Sequence, residues 1–397
     1  MFEQMLANYE ESPVPGQSTK ISSVAVIGAD PVGQAIACSA LTAGCRVTLH
    51  TPFDSEYRKL VDAESISVDG GTSAGTHRVA PVDTNVHEPT IQAAPQLDVA
   101  VKHADVVLLT GPASVHATYA TLLAPLLKTG QIVVLAPGQS MGALEVARVL
   151  RNQRSRADAI VLEMCIAPYI VTQPHPGHLI VEAEHRVVLA AALSNADTAS
   201  VVDSMRHLFP MLRAADSVLE TSFANMAGLL LAAPALLAAS AQGRATLRDR
   251  LPVELVETVV RRLDQERMRT AFAYGVRDLS SLSEWLEATF GTVEKDLGNA
   301  LDEIAVYGKI PCPAPDDPAV HDAVATSLVP LASAAATAGV PTPVTSAMIT
   351  LASALHGIDH ARNGRTMASL GLEGMRPDEI RRAIDGADAA LAQEVLT

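Results

Sequence analysis

The sequence predicts a doubly wound parallel α/β sheet followed by an all-helical C-terminal domain, and two observations carry that expectation. The segment Ser23–Gly33 (SVAVIGADPVG) reads as a buried strand that runs into a glycine turn and then a helix. Beyond about residue 217 the apolar periodicity changes from short strand-like runs alternating with helices to helices alone. The chain has 397 residues, enough for two domains with separate cores.

In order, residues 1–20 are polar, with Pro and Gly inside them, and are expected to be a flexible extension. The first domain is expected over 21–217. Its first strand is Ser23–Gly28, its first helix about Val32–Ala43, ended by Gly44, and its second strand Arg46–His50. The runs Ala104–Thr110 and Gln131–Ala136 are continuously apolar, as strands buried on both faces must be. Tyr119–Leu127 between them has helical spacing, and Ala159–Glu163 and His178–Glu182 supply further strands. The helical domain, 218–397, is expected to hold helices at Leu219–Ala241, Pro252–Tyr274, Leu282–Thr289, Thr292–Ile304, Val320–Ala338 and Thr345–Leu355.

Composition narrows the function. Apolar residues make up 48% of the chain, yet the longest apolar run, Met226–Ala239, is too short for a membrane span and contains Pro234. No signal-peptide pattern opens the chain, so no membrane partner and a cytoplasmic location are expected. The net charge of −15 without a basic run argues against nucleic acid. Cys38, Cys45, Cys165 and Cys312 lack metal-ligand spacing and read as reduced thiols. His175 and His178 flank a Pro-Gly turn without a further ligand, and no metal site is expected.

The glycine turn points to a dinucleotide. In the G-x-G-x-x-G pattern of a Rossmann-type unit the first glycine makes the turn, the second admits the pyrophosphate, and the third packs helix on strand. Gly28 and Gly33 hold the outer positions, with Ala29 and Val32 between, but the middle glycine is Asp30, whose carboxylate crowds and repels a phosphate. Two readings are open: Asp30 rotates outward to cap the helix that Pro31 starts, or the phosphate site is closed. Strand two ends at Thr51 instead of the acid that binds ribose hydroxyls in NAD enzymes, with Arg58 and Lys59 following. That pattern tilts the choice toward NADP, against the alternative that Arg58 is a surface charge.

The stretches Ala104–Ala117 (ADVVLLTGPASVHA), Leu135–Glu145 (LAPGQSMGALE), Leu263–Arg267 (LDQER), Ser327–Pro330 (SLVP), Val340–Pro343 (VPTP) and Asn363–Leu372 (NGRTMASLGL) extend the pattern over about residues 22–390. With the glycine turn they resemble the opine dehydrogenases, the octopine, nopaline and N-(1-carboxyethyl)amino-acid enzymes. The resemblance implies a Rossmann domain and a helical domain that closes over substrate. It also implies reduction, by NAD(P)H, of the imine formed between a 2-oxo acid and an amino acid. A place in secondary metabolism goes with it. The family's proton-transferring histidine follows an Asn-x-Asn pattern. Here that segment is Thr221–Pro234, where Asn225 is kept, Ala227 replaces the second asparagine and Leu231 falls at the histidine. Leucine moves no proton.

Candidate site residues therefore come from elsewhere. The family's acidic partner falls at Asp322 or Ala323, with His321 beside it; adjacent helical residues point about 100° apart, so a shared pocket for His321 and Asp322 competes with two polar groups at a helix start. His116 matches a family histidine that follows the strand Ala104–Thr110, next to Pro112 in the loop, and titrates in the useful range or merely orients the loop. Glu163 ends a strand on the ligand-binding edge of the sheet. Cys165 reads as structural, and Asp264 and Arg267 as an ion pair at i, i+3. Arg362, Asn363, Arg365 and Thr366 read as a cluster holding the last helices. The functions expected are an NADP-preferring oxidoreductase on an amino-acid-derived small molecule or, since Asp30 and Leu231 disable both halves of the chemistry, a non-redox enzyme performing cyclisation, condensation or isomerisation. A silent binding subunit is the third. An apolar helical half makes a homodimer plausible.

Overall fold

In a computed structural model of the chain, residues 21–84, 88–155, 157–237 and 245–385 are described; the N-terminal extension and the tail beyond residue 385 lie outside them. Strands β1 (Ser23–Ile27), β2 (Arg46–His50), β3 (Ser65–Asp69), β4 (Gly75–Pro81), β5 (Ile91–Ala94) and β6 (Val106–Leu109) come first. Then follow β7 (Ile132–Leu135), β8 (Ile160–Met164), β9 (Tyr169–His175), β10 (His178–Glu184), β11 (Val188–Ala192) and β12 (Leu212–Ala214). They form one sheet in the order β12-β11-β8-β7-β6-β1-β2-β5-β4-β3-β10-β9.

The centre, β5-β2-β1-β6-β7-β8, is parallel throughout. Every residue of β1, β6 and β7 is buried, because helices cover both faces. The strand order reverses between β1 and β6, and at such a switch point the strands' carboxyl ends leave a crevice for a ligand. Antiparallel pairs β11/β8, β3/β4 and β9/β10 extend the edges. β3, β4 and β9 are half-buried or exposed over most of their length and mix polar residues and proline into the pattern, and so sequence periodicity does not announce them.

After β12 the described residues hold helices and turns and no further named strand. The expected helix from Leu219 bends after Val218–Phe223, because the Asn225 side chain accepts the Ala227 N–H at 2.8 Å and restarts the chain. It resumes through a wide turn, Gly228–Ala232, into Ala233–Leu237. The expected Val320–Ala338 helix is likewise interrupted by a wide turn at Val324–Leu328. The two wide turns pack on each other: a Cβ on Gly228 would lie 2.6 Å from Leu328 Cδ2. Val218–Leu237 and Pro318–Thr337 are long and apolar enough to cross a membrane, but they are buried inside the protein as core helices.

One apolar core lies on the face of the sheet under Pro31–Thr42, and another fills the helical half. The core on the opposite sheet face joins the two halves: Val107, Leu135 and Leu144 share it with Tyr274, Leu331, Met367 and Ile380. The helical half is therefore seated on the sheet beside the crevice.

Candidate functional site at the switch point

The turn after β1 is built as a dinucleotide turn in shape. Gly28 has φ +125°, and a Cβ there would fall 2.3 Å from Thr110 Oγ1; a Cβ on Gly33 would fall 2.1 Å from the Gly28 carbonyl. Ala29 is buried and Val32 half-buried. Asp30 caps the helix Pro31–Thr42, accepting the Gly33 N–H at 3.2 Å. Its carboxylate does not swing outward. It turns inward and also accepts the Thr110 hydroxyl at 2.9 Å. Burial raises its pKa, partly offset by the Thr110 and backbone hydrogen bonds. The carboxylate thus occupies helix N-terminal donors that an incoming phosphate would use.

The end of β2 differs from the sequence expectation. Thr51 is buried and donates its hydroxyl to Glu56 Oε2 at 2.6 Å. Glu56 stands in the first turn of the helix Asp54–Asp62, where its negative charge adds to the burial that pushes the Tyr119 hydroxyl's pKa up. Arg58, expected to bind a 2′-phosphate, instead pairs with Asp54 at 2.8 Å on an exposed face. A carboxylate, Glu56, thus stands beside Thr51 at the end of β2. It comes six residues past the strand and not directly after it.

Across the crevice the helical half grips two loops of the sheet domain. Asp322, from the helix Pro318–Ala323, accepts the N–H groups of Ala113 and Ser114 at 3.1 and 2.8 Å, just after Pro112. Its carboxylate caps the turn that follows β6. Arg365 is buried and donates to the carbonyls of Ser140 (2.6 Å), Gly138 (3.2 Å) and Ala113 (3.4 Å), and to Glu145 Oε2 at 2.6 Å. Sequence reading assigned Arg365 to the last helices; it is in fact the bond between the two halves. Its only signal was its place in the Asn363–Leu372 stretch.

Asn225 is buried at the same seam, its amide donating to Ser140 Oγ (3.1 Å) and Ser327 Oγ (2.6 Å), while Ser327 donates to Gln139. Asn225, Ser140 and Ser327, with Met141, Phe223, Gly228 and Leu328, line a cavity of about 10 Å³, the room of a single water.

Other expected catalytic groups take different roles. Glu163 is fully buried and accepts the Ala143 N–H and the Thr221 and Ser222 hydroxyls, tying β8 to Gly142–Asn152 and Val218–Phe223. Sealed from the crevice, it cannot reach substrate. Burial raises its pKa, opposed by those hydrogen bonds and by Arg365. His116 is fully buried, and neither ring nitrogen has a hydrogen-bond partner. Burial, reinforced by the Arg365 charge, pushes it down to about 3, so it stays neutral. His321 and Asp322 do not share a pocket: Asp322 faces the sheet domain, whereas His321 stacks on His356 with ring centroids 3.6 Å apart. Leu231 is half-buried against the helical core.

Burial pushes Cys165 up to about 12, so its thiol is no nucleophile. Asp264 and Arg267 form a buried pair at 2.6 Å, as their spacing predicts. His50, at the end of β2, bonds the Ala94 carbonyl at 3.0 Å, and burial holds its pKa down.

Residues 214–356 match the model of the NAD/NADP octopine/nopaline dehydrogenase alpha-helical domain. An opine dehydrogenase of Arthrobacter sp. (strain 1C) is 27% identical over 365 residues, which span 91% of this chain and 98% of the relative. Octopine dehydrogenase, solved in complex with NADH and agmatine, superposes with a TM-score of 0.71 at 18% identity, over 92% of this chain and 98% of that one. Yersinopine dehydrogenase with NADP+ bound gives a TM-score of 0.60 at 14% identity, over 94% and 99%.

Proposed function

We propose that the protein, whose residues 214–356 match the octopine/nopaline dehydrogenase helical-domain model and which is 27% identical to an opine dehydrogenase, is an NAD(P)-dependent oxidoreductase of that type acting on an amino-acid-derived imine. The observation that carries this reading is a glycine turn of dinucleotide shape at the sheet's switch point, beneath a helical domain gripping the adjacent loops through Asp322 and Arg365. We take 21–217 as the cofactor domain and 218–397 as the substrate domain.

The turn fits a dinucleotide turn in shape: Gly28 and Gly33 let it close tightly against Thr110 and on itself, where Cβ atoms would collide. Asp30 counts against tight pyrophosphate binding, since its carboxylate already holds the helix's first donors. At the ribose end, Glu56 held by Thr51 favours NAD(H) over the NADP that Thr51 and Arg58 suggest in sequence, because a carboxylate accepts ribose hydroxyls and repels a 2′-phosphate. Replacing Glu56 with Ala should shift preference toward NADPH.

When bound, the nicotinamide supplies the hydride. Asn225, Gln139, Ser140 and Ser327 offer hydroxyls and amides to a substrate's polar groups in exchange for the bonds they make to one another. Leu231 moves no proton, and His116 is neutral and sealed. The favoured substrate is therefore an iminium ion, already protonated, rather than a neutral carbonyl that needs an acid in the same step. The cavity of about 10 Å³ beside Asn225 admits no amino acid, so substrate binding there would need the seam between the two halves to open.

The test is oxidation of NADH and NADPH at 340 nm with 2-oxo acids plus amino acids, and with preformed cyclic imines, alongside cofactor fluorescence. No fluorescence change up to millimolar of either cofactor removes the redox reading and leaves the non-redox alternative that Asp30 and Leu231 favour. We also propose a cytoplasmic homodimer. The helical half exposes the apolar side chains Leu255, Phe272, Val293 and Leu355, from which such a contact would be built. Light scattering after size exclusion checks it.

A further inference from the structure

We propose that His321, His356 and His360 form a binding site for one divalent transition-metal ion of the zinc type, on the outer side of the helix that carries Asp322. The three side chains come from the helix Pro318–Ala323, the end of Pro343–His356 and the start of His360–Asn363. One ring nitrogen from each lies within 4.8 Å of the others. His356 Nδ1 is 2.8 Å from His360 Nε2. These separations bracket the roughly 3.3 Å between imidazole nitrogens around a tetrahedral ion at 2.0–2.1 Å.

The second nitrogen of His356 is already arranged as a metal ligand's would be. Its Nε2 meets the Pro315 carbonyl at 2.7 Å and, since a carbonyl only accepts, must carry the proton. Nδ1 is then left with its lone pair turned toward His360. Metal-bound histidines are commonly oriented in this way by a backbone carbonyl.

His360 is buried while His321 and His356 are half-buried, so the centre has a floor and an open side. Asp316 and Asp317 bias the open side toward a cation, and their charges reach His321. An all-imidazole set suits zinc, cobalt, nickel or copper and not magnesium or calcium, which take oxygen ligands. A water completes the tetrahedron. Loading needs His360 to carry its proton on Nδ1 instead of Nε2, a tautomer exchange that leaves the ring neutral, and requires rotation of the stacked His321 ring. The ion would clamp three helical segments together next to Asp322, without touching the crevice.

The experiment is titration of the full-length, tag-free, chelator-treated protein with cobalt(II), read as d–d absorption between about 500 and 650 nm, a range set by tetrahedral nitrogen ligation. Zinc content is measured in parallel by mass spectrometry after dialysis. One cobalt per chain, displaced by zinc, is expected. Binding should weaken at least tenfold in H321N and in H356Q, two half-buried positions where folding is checked by circular dichroism. His175 and His178, whose rings lie 4.8 Å apart, are the competing surface pair. The H178A variant should bind unchanged. No tetrahedral spectrum, or a signal that survives H321N and H356Q or vanishes in H178A, overturns the proposal.

Discussion

Asp30 does two things at once: it caps the first helix and places a negative charge where the phosphate should arrive. Asn keeps a cap of similar strength and removes the charge. The Asp30→Asn variant should therefore bind NADH up to about tenfold more tightly at low salt, with the gain shrinking as salt rises. Calorimetric titration at two ionic strengths checks this; unchanged affinity would mean that the carboxylate is masked by Thr110. Glu163 makes the opposite case, a candidate base that is a structural acceptor. Its Thr221 and Ser222 donors also reach the Val218 carbonyl, so a glutamine amide can replace one oxygen while the other keeps the Ala143 N–H. Glu163→Gln should fold and turn over nearly as the parent does, whereas a lost general base would cost a hundredfold or more in kcat. Glu163→Ala leaves the Ala143 N–H and two hydroxyls facing a cavity and should cost about 2–4 kcal/mol of unfolding free energy.

The elements show why sequence spoke clearly about some parts and not others. Strands β1, β2, β6 and β7 were legible to within two residues at each end: β6 and β7 because burial on both faces demands unbroken Val, Ile and Leu, β1 and β2 because the glycine turn and Gly44 bracket them. The wide turns Gly228–Ala232 and Val324–Leu328 were not, since an extra residue per turn leaves composition helical. They matter because each sits beside a crevice residue: Asn225 precedes the first, and Asp322 the second. Gly228 is small because Leu328 packs on it. Gly228→Ala should cost about 1–3 kcal/mol through overpacking and should raise KM more than it lowers kcat if the seam around Asn225 is displaced. Denaturant unfolding and steady-state kinetics on one preparation separate the two effects. Glu56 and Arg365 stayed hidden for a related reason: their partners, Thr51 and the loop Gly138–Ser140, are set by three-dimensional packing, which fixed spacing rules do not reach.

For the molecule as a whole, pH acts on both halves through buried groups. Burial holds His116 down to about 3 and His185 down to about 4. Both take up protons more readily when unfolded, so the stability they lend is present above the ordinary value near 6.5 and is lost as pH falls through the range 6.5 to 3. Glu220, at the seam, is pushed the other way, up to about 7, by burial and the charges of Asp216 and Asp278, although it accepts the Asp216 N–H at 2.7 Å. Its raised value stabilises the fold below its ordinary 4.5, and that contribution is lost as pH rises through 7. Between 4.5 and 6.5 the two histidines outweigh the single glutamate, so stability should climb with pH and then level off near neutrality. The Glu220→Gln variant keeps the Asp216 bond and removes the buried charge. It should match the parent at pH 4.5 and exceed it by on the order of 3 kcal/mol at pH 8. Unfolding free energies measured across that range decide the matter: a constant offset between variant and parent would mean that Glu220 titrates as an ordinary carboxylate and the seam is wetter than its burial implies.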